Sequence, residues 1–588
     1  MNFSGFTARF DPSAEFKYGF RNYLFKRPVE VLVLDNPKNL NAFFSKLEKR
    51  IKKYYAAGFF SYELGFLLDN AFGKLRKTHF PYAVFGIFEK PAEIKFSNVA
   101  KTQMPRVDGP KLNISKRRYK ACIKKIKRHI YEGDIYQANF TMKYKFGFCG
   151  SPEDLFENLK ARQKTAYNAF FRFGNCFILS LSPELFFAKV GRKIVMKPMK
   201  GTIERGRFSE EDSAKSIFLA NDPKNRSENL MIVDLLRNDV GKISIPGSVK
   251  VKKLFEVEKY GTLFQMTSTI ESYLRKHTTA AELIRAVFPS GSVTGAPKIR
   301  SMQILKDLEK EKRGIYTGAV GYFTPHGNAV FNVAIRTVLL NGVRGEMGVG
   351  GGIVNDSNAD DEFNECRLKA KFFHKKTPPK FSLIETILYR NGFEHLNSHL
   401  SRLNNSAEYF GFNFKRKKIV RKLNLLKNSF EKKPYRVRLL LSEDGSVSAS
   451  ATSIKPTDAT LKITLSDVTT NSSDYFFFHK TTKRDIYNSE LAKAREKGFF
   501  DVVFANEKGE ITEGAITNVY IKKGADIFTS PVKCGLLNGV IRKIMLNKTA
   551  VKEKIISVKE LLEADAVFVS NSIIGFRQAK LQKKGTVC

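Results

Sequence analysis

A short segment with two consecutive prolines, residues 374–380 (HKKTPPK), divides this chain of 588 residues into two parts. Proline cannot continue a helix, and the residue before a proline is restricted to extended conformations. Residues 360–373 before the segment have the apolar pattern of a helix, and residues 381–389 after it have that of a strand. We therefore predict one domain at 1–373, a linker at 374–380 and a second domain at 381–588.

The first domain mixes short apolar strands with amphipathic helices. Residues 176–182 and 319–323 have the pattern of strands, whereas 227–237 and 280–287 have that of helices. Such elements occur in runs and do not alternate strictly, which favours an α+β fold over a Rossmann-type sheet. Residues 1–115 contain strand-like pieces such as 29–34 but no motif with an evident chemical role.

The chain is strongly basic, with 101 Lys and Arg against 58 Asp and Glu, a net charge of +43. Such a charge favours anionic partners. The lysines are spread along the whole chain, however, and no basic tail, zinc finger or aromatic RNA-binding motif accompanies them. We interpret the excess as solvated surface and expect no nucleic-acid partner.

The cysteines and the apolar runs bear on the cellular compartment. The six cysteines lie far apart, with no metal-ligand spacing, so we expect a reducing compartment. No run of about 18 apolar residues is present, so no membrane span is expected. The first residues lack the apolar core of a signal peptide. These features predict a cytoplasmic protein.

Carboxylates occur at spacings that suit a divalent cation. Glu362, Glu365 and Lys369 lie on one face of a predicted helix, and Glu228 begins another. Mg²⁺ requires one or two carboxylates together with substrate oxygens and water. The same spacing also fits ordinary surface helices with i,i+4 ion pairs, so it does not decide between the two.

Two glycine-containing segments, 289–298 (PSGSVTGAPK) and 348–352 (GVGGG), also stand out. The first precedes a predicted helix, whose backbone N–H groups can hold an anion. The second permits close approach of the backbone to a ligand. Neither has the spacing of a Walker A motif, and as isolated glycine runs both would be turns.

Taken in order, the segments of the first domain resemble the chorismate-utilising enzymes, which include anthranilate synthase component I and aminodeoxychorismate synthase component I. The matching segments are 182–186 (SPELF), 197–202 (KPMKGT), 228–239 (ENLMIVDLLRND), 291–298 (GSVTGAPK), 316–323 (YTGAVGYF), 335–336 (IR) and 350–365. The resemblance covers roughly 115–373, the expected catalytic core. It implies a two-sheet β-sandwich with flanking helices.

The resemblance also implies roles for individual residues. Glu228 and Glu365 match the two Mg²⁺ ligands, and Glu184 matches a general acid for the departing hydroxyl of chorismate. The positions that match substrate-binding residues are Gly201, Thr202, Thr294, Tyr316, Arg336, Gly350, Gly351 and Gly352.

Lys200 separates the subfamilies. At this loop, anthranilate synthases have a sequence similar to Pro-Ile-Ala-Gly-Thr, and aminodeoxychorismate synthases have lysine in place of the alanine. This chain has lysine at that position, Lys200. A lysine amine beside the substrate can act as a nucleophile at C2 and expel water from C4. Ammonia then enters at C4 and releases the lysine. We predict this role for Lys200.

Two positions depart from the family pattern. Gln265 stands where the family commonly has histidine, and it can exchange hydrogen bonds but cannot carry a charge. Asn225 stands where the family has a second glutamate on the helix that contains Glu228. Glu362 is therefore expected to supply negative charge around the metal ligands.

The second domain contains the parts of a pyridoxal 5'-phosphate site. Residues 477–487 are predicted to form a strand that leads to a polar turn with Lys480, and the segment 512–520 is predicted to place Glu513 just before a strand. A glycine turn at 535–542 precedes a predicted helix. A lysine, a carboxylate for the pyridine nitrogen and a helix N-terminus for phosphate are what this cofactor needs. Taken singly, each residue also fits an ordinary surface.

Nearly all of 381–588 resembles the fold-type IV pyridoxal phosphate enzymes, which include branched-chain aminotransferases and aminodeoxychorismate lyase. By this resemblance Lys480 attaches the cofactor, with Lys483 as the alternative, and Glu513 contacts the pyridine nitrogen. Arg402, in an HLSRL motif, and the backbone of Val540 and Ile541 match the phosphate contacts. Residues 570–573 (SNSI) resemble the loop of the lyases. Such enzymes commonly pair, so a homodimer through this domain is expected.

The two resemblances together imply a bifunctional enzyme of 4-aminobenzoate synthesis that uses chorismate, Mg²⁺ and pyridoxal phosphate. No cysteine lies in a Gly-x-Cys-x-Gly context, so a separate glutamine amidotransferase subunit is expected to supply ammonia. Two alternatives stay open. One is an anthranilate synthase component I fused to an unrelated class IV aminotransferase, and the other is a basic nucleic-acid-binding protein on an inactive enzyme scaffold.

Overall fold

The computed structural model describes residues 3–12, 18–73, 78, 80–93, 105–163, 165–261, 263–374, 380–431, 433–454, 460–548 and 550–582. The chain divides into two compact units. The first comprises residues 1–204 and 216–378, and the second comprises 205–215 and 379–588. Most of the predicted linker, 375–379, lies outside the described residues.

The first unit contains two large antiparallel sheets. In spatial order the first sheet runs Gly295–Ala296, Gln137–Cys149, Arg344–Ile353, Thr337–Asn341, Cys176–Ser182, Tyr167–Phe173, Thr7–Phe10, Tyr23–Phe25 and Ala92–Glu93, with Arg106–Leu112 also paired to Gln137–Cys149. The second runs Met199–Glu204, Leu263–Tyr273, Lys193–Lys197, Leu185–Val190, Ala329–Val333, Ala319–Phe323, Tyr55–Phe60, Ala83–Phe88 and Glu30–Leu34, with Lys250–Lys259 paired to Leu263–Tyr273.

The two sheets pack face to face through an aromatic core. Phe10 of the first sheet lies edge-on to Tyr322 of the second, with ring centroids 4.8 Å apart. Leucine, isoleucine and phenylalanine side chains of both sheets are buried around this pair. The α+β sandwich expected from the sequence is therefore confirmed. Residues 7–93 supply strands to both sheets, so the N-terminal segment is part of the first unit.

Helices flank the two sheets. They are Leu40–Ile51, Lys116–Tyr131, Pro152–Arg162, Pro223–Gly241, Ala280–Val287, Lys298–Leu308 and Ala359–His374, and Ser209–Asn221 crosses the unit boundary after residue 215. Among the described residues, no helix is long and apolar enough to cross a membrane.

The second unit contains two sheets. A three-stranded antiparallel sheet runs Leu383–Tyr389, Tyr435–Leu441 and Val447–Ser453. An eight-stranded mixed sheet runs Ile511–Gly514, Asp501–Ala505, Leu461–Leu465, Gly575–Leu581, Ala566–Asn571, Asn518–Lys523, Asp526–Thr529 and Lys552–Glu553. The helices are Leu396–Phe410, Arg416–Lys427, Asp485–Glu496, Val540–Asn547 and Val558–Leu562.

Two local predictions for this unit are wrong. Residues 477–487 do not form a strand, because Tyr475–Phe478 is a 3₁₀ turn and a helix begins at Asp485. The Asp474 carboxylate accepts the Phe476 N–H at 3.0 Å, which starts the turn. Glu513 lies inside the strand Ile511–Gly514, not before a strand, because residues 511–514 pair with Asp501–Ala505.

The segment 205–215 packs as part of the second unit. The guanidinium of Arg205 makes two hydrogen bonds to the Asp212 carboxylate, at 2.6 and 2.7 Å, and lies 4.5 Å from the centre of the Tyr409 ring. The Tyr409 hydroxyl donates to the carbonyl of Gly206 at 2.7 Å. Arg205 and Asp212 are both buried. A boundary drawn only at the proline segment therefore misses this part of the second unit.

Candidate functional sites

Lys200, the predicted nucleophile, lies in strand Met199–Glu204 and is 9% exposed. A Cβ atom on Gly352 would lie 2.8 Å from its Nζ, so only glycine leaves room for the amine at this point. Burial lowers the pKa of Lys200, while the Glu228 and Glu184 carboxylates oppose that shift. A lowered pKa increases the neutral fraction, and only a neutral amine can attack carbon.

Gln137 is a site residue that the sequence reasoning missed. It is fully buried, and neither its amide oxygen nor its nitrogen has a hydrogen-bond partner among the described residues. Its Nε2 also faces Gly352, beside the Lys200 amine. A buried, unsatisfied amide is costly unless a ligand completes it. Polar residues alternate through Gln137, Asn139 and Thr141 of one apolar strand, which marks a polar face of the strand but does not show what that face meets.

Glu184, the predicted general acid, follows strand Cys176–Ser182 and is 3% exposed. Burial raises its pKa to about 7. The Ser292 hydroxyl donates to its Oε1 at 2.6 Å and, with the charge of Lys200, limits that rise. A carboxylic acid with a pKa near neutrality is suited to give up a proton.

The glycines of strand Arg344–Ile353 let side chains approach the backbone. A Cβ on Gly348 would overlap the Tyr316 ring, and one on Gly351 would lie 3.2 Å from the Glu362 carboxylate. Lys369 donates to the carbonyl of Gly350 at 3.1 Å. The run therefore lets Tyr316, Glu362 and Lys369 lie against the backbone of this strand.

The remaining predicted substrate residues differ in their surroundings. Gly201 has a φ of +84°, and Thr202 pairs across the sheet with Gln265, the position where the family has histidine. The Thr294 hydroxyl donates to the Ser290 carbonyl at 3.1 Å, so it supports its own loop.

Arg336 is held apart from the acidic residues described above. It has a φ of +49° and donates to the Gln163 amide oxygen at 2.9 Å. Burial lowers its pKa to about 10. The guanidinium remains charged near neutrality and is suited to a substrate carboxylate.

Carboxylates from two helices gather near Lys200. The negative charges of Glu365 and Glu228 both raise the pKa of Glu362, after the larger effect of burial. Lys369, 2.7 Å from Glu365, lowers the pKa of that carboxyl. Carboxylate oxygens are the donors that a hard cation prefers. Glu228 and Glu365 therefore have the chemistry of the predicted Mg²⁺ ligands, although among the described residues their oxygens and those of Glu362 do not form a group within 4.8 Å of one another.

In the second unit, Lys480 and Glu513 lie close enough to interact. Burial, followed by the positive charges of Arg402 and Arg484, lowers the pKa of Lys480 to about 7. Burial raises the pKa of Glu513 to about 7, and its carboxylate accepts the Tyr487 hydroxyl at 3.0 Å. Such a reactive lysine near a fixed carboxylate is what a pyridoxal phosphate site needs.

Lys483, the alternative lysine, is engaged elsewhere. Its Nζ lies 4.0 Å from the centre of the Phe476 ring. This cation–π contact holds the amine against an aromatic face. The geometry therefore favours Lys480.

Arg402 is held by Glu385, a residue that the sequence reasoning missed. The Glu385 carboxylate accepts two hydrogen bonds from Arg402, at 2.7 and 2.9 Å, and its Oε2 lies 2.6 Å from Nδ1 of His399. Arg402 and His399 hold the pKa of this buried carboxyl at about 2. A glutamate inside the apolar strand Leu383–Tyr389 was the available signal.

The predicted phosphate contacts begin a helix. Val540–Asn547 starts directly after Gly539, so the N–H groups of Val540 and Ile541 lie in its first turn. The hydroxyl of Ser570, in the 570–573 segment, lies 2.7 Å from the Tyr520 hydroxyl. Lys480, Glu513 and Arg402 with this helix start thus fit the predicted cofactor.

Two family models match the chain. Residues 10–375 match the model of the chorismate binding enzyme family. The chain belongs to that family. Residues 382–581 match the class IV aminotransferases.

Individual relatives of the chorismate binding part include both predicted subfamilies. Aminodeoxychorismate synthase component 1 of Escherichia coli is 38% identical over 255 residues, which is 43% of this chain and 56% of that protein. Anthranilate synthase component 1 of Aquifex aeolicus is 35% identical over 52% of this chain and 65% of that protein. The crystal structure of anthranilate synthase component I from Streptococcus pneumoniae is 26% identical, with a TM-score of 0.51, over 63% of this chain and 92% of that one. The chain thus spans little more than half the length of the Escherichia coli relative.

Proposed function

We propose that this chain converts chorismate and ammonia to 4-amino-4-deoxychorismate in its first unit and cleaves that product to 4-aminobenzoate and pyruvate in its second. The observation that carries the proposal is the buried amine of Lys200, with a lowered pKa, beside Gly352 in the chorismate site. Anthranilate synthases lack a nucleophile at this position.

The first reaction uses Lys200 and Glu184 in turn. The amine of Lys200 forms a bond to C2 of chorismate, both conjugated ring double bonds shift, and the C4–O bond breaks. Glu184, protonated below its pKa of about 7, gives its proton to the departing hydroxyl, which leaves as water. Ammonia then bonds to C4, the double bonds shift back, and the bond from C2 breaks to release the neutral amine of Lys200. The new ammonium group at C4 gives its extra proton to Glu184, so both residues are regenerated.

The surrounding residues bind and orient the substrate. Glu228 and Glu365 would hold Mg²⁺, which when bound supplies positive charge for a chorismate carboxylate. Arg336 supplies a second cation, and Tyr316 and the glycines 350–352 shape the ring pocket. Gln137, with an unsatisfied amide beside Lys200, is placed to hydrogen-bond substrate or incoming ammonia.

The second reaction uses Lys480 as the base. Its pKa of about 7 leaves much of the amine neutral at physiological pH, able to take the C4 proton of aminodeoxychorismate. Glu513 would orient the pyridine nitrogen, while Arg402 and the N–H groups of Val540 and Ile541 would hold the phosphate. Pyridoxal phosphate, when bound, supplies the electron sink for this step. The C3–O bond then breaks, the enolpyruvyl group takes up the proton from Lys480 to become pyruvate, and the ring is left aromatic.

Ammonia is proposed to come from a separate glutaminase subunit. The component 1 designation of the Escherichia coli relative implies a second component for that protein. This chain alone should then use ammonium but not glutamine. Glutamine should become a substrate only when a glutaminase subunit is added.

Product analysis tests the proposal. The purified full chain is incubated with chorismate, ammonium, Mg²⁺ and pyridoxal phosphate, and the products are separated by chromatography. We expect 4-aminobenzoate and pyruvate in equal amounts. Anthranilate with pyruvate would support the alternative assignment and contradict ours.

A further inference from the structure

Arg313 is a buried, charged residue of the first unit to which the proposed reaction gives no role. It lies between helix Lys298–Leu308 and strand Ala319–Phe323 and is 2% exposed. All five N–H donors of its guanidinium have acceptors. Nε and Nη2 donate to the Glu309 carboxylate at 2.9 and 2.8 Å. The other three donors reach three segments that carry or adjoin residues of the proposed chorismate site, and such complete pairing is what a buried charge needs.

The first segment is the loop that supports the proposed general acid. Nη1 of Arg313 donates to the carbonyl of Val293 at 2.8 Å. Val293 lies between Ser292, whose hydroxyl donates to the Glu184 carboxylate at 2.6 Å, and Thr294, a predicted substrate residue. The guanidinium therefore fixes the backbone that carries the hydrogen-bond partner of Glu184.

The second segment is the strand that pairs with the glycine run 350–352. Nη2 of the arginine donates to the Asn139 carbonyl at 2.6 Å. The Glu309 carboxylate accepts both the N–H and the hydroxyl of Thr141, each at 2.9 Å. Asn139 and Thr141 lie opposite Gly352 and Gly350 in the neighbouring strand. The ion pair thus fixes the strand that faces the glycine run.

The third segment is the backbone that follows Tyr316. Nη1 of Arg313 also donates to the Thr317 hydroxyl oxygen at 3.3 Å, and that hydroxyl donates to the Tyr316 carbonyl at 2.5 Å. Thr317 has a φ of +62°, a left-handed conformation that β-branched residues rarely adopt. Such a conformation persists only where the surroundings hold it, and Arg313 is one of the groups that do so.

We propose that Arg313 is a positioning residue for chorismate, which sets the spacing between the loop behind Glu184, the glycine run and Tyr316. The inference rests on the proposed chorismate site. Arg313 acts through the backbone of these segments and contacts none of the reacting atoms. A planar fork is needed for this role, because it presents five donors in fixed directions, whereas the ammonium of lysine offers three donors from a single nitrogen.

The variant Arg313→Lys tests the proposal in the full chain, with chorismate loss followed at saturating ammonium and Mg²⁺. Lysine keeps the positive charge beside Glu309 but cannot reach the three segments together. We expect the KM for chorismate to rise by about tenfold or more, since misplaced binding groups weaken substrate binding. A purely structural role would reduce the amount of folded enzyme, which lowers the apparent kcat and leaves the KM unchanged. Lyase activity on supplied aminodeoxychorismate should not change.

Arg50→Lys is the matched control. Arg50 also meets a glutamate through two nitrogens, at 2.8 and 2.9 Å from Oε2 of Glu30, but it lies on helix Leu40–Ile51 outside the proposed site. Its KM for chorismate should equal that of the wild type. Equal KM values in Arg313→Lys and Arg50→Lys would overturn the proposal, as would failure of Arg313→Lys to fold.

Chemical rescue gives a second readout. In Arg313→Ala, added guanidinium should lower the KM for chorismate toward the wild-type value, whereas sodium chloride at the same concentration should not. A wild-type KM in Arg313→Ala without guanidinium would contradict the role of Arg313. Anthranilate as the product would contradict the proposed function instead, because the KM measured by chorismate loss does not depend on which product forms.

Discussion

At the scale of single residues, burial moves the pKa values of Glu184 and Lys480 toward neutrality. Glu184 must be protonated to act as an acid, so synthase activity should fall as pH rises through about 7. The Ser292 hydrogen bond lowers the pKa of this carboxyl. Ser292→Ala should therefore move the falling limb to higher pH, measured as chorismate loss at a fixed concentration of free NH₃. If the falling limb of the pH profile of Ser292→Ala lies at the same pH as that of the control Ser272→Ala, Glu184 is not the general acid.

Lys480 and Lys483 give a second prediction at this scale. Lys480→Ala should remove the visible absorbance change that pyridoxal phosphate causes on binding, and should abolish pyruvate release from supplied aminodeoxychorismate. Lys483→Ala should keep both, because its amine is held by the Phe476 ring. Chorismate consumption should continue in both variants. The assignment fails if Lys480→Ala still gives a borohydride-reducible adduct.

Most of the proposed reactive residues could be predicted from sequence motifs, but the residues that complete their surroundings could not. Glu184, Lys200, Lys480 and Glu513 lie in motifs whose order is distinctive. Gln137 lies in an apolar strand, and nothing local indicates that pairing with strand Arg344–Ile353 places its amide beside Gly352. Such positions become visible only when strands far apart in sequence are paired.

At the scale of elements, two helices each supply one proposed metal ligand. Glu228 lies on Pro223–Gly241 and Glu365 on Ala359–His374. Glu228→Gln and Glu365→Gln should each raise the Mg²⁺ concentration for half-maximal synthase activity by about tenfold or more. Lyase activity should not change. Glu153→Gln, an exposed acid on helix Pro152–Arg162, is the control, and a Mg²⁺ requirement equal in all three variants would place the metal elsewhere.

The predictions of helices and strands were correct where the spacing of apolar residues along the sequence matched the buried face of the element. Strands Cys176–Ser182 and Ala319–Phe323 and helix Ala280–Val287 have the predicted bounds. The prediction for 477–487 failed because an aromatic run resembles a strand by composition, yet a carboxylate cap turns it into a 3₁₀ turn. Local side-chain hydrogen bonds of this kind compete with strand formation.

At the scale of the whole molecule, the second unit is built from two separate parts of the chain. Removing one partner of the buried pair between Arg205 and Asp212 should cost about 3–5 kcal/mol of stability in that unit. Arg205→Ala should therefore lower the denaturant midpoint followed by cofactor absorbance. Arg128→Ala, which breaks an exposed pair with Glu132, should cost less than about 1 kcal/mol. Equal midpoints would mean that segment 205–215 does not stabilise the unit.

The boundary near residue 378 could be predicted from the proline segment, but the assignment of residues 205–215 to the second unit could not. Proline and charge mark a linker by local chemistry, whereas the docking of 205–215 depends on a buried aromatic ring about 200 residues later, Tyr409. The sequence therefore predicts a fragment, 381–588, that lacks part of the second unit.

The central claim is that Lys200 attacks chorismate, and mass spectrometry tests it most directly. The full chain is mixed with chorismate and Mg²⁺ without ammonia, quenched with acid and digested. We expect the peptide that contains Lys200 to gain the mass of chorismate minus one water, and Lys200→Ala to show no adduct and no 4-aminobenzoate. A Lys200→Ala protein that forms 4-aminobenzoate at the wild-type rate would contradict the account.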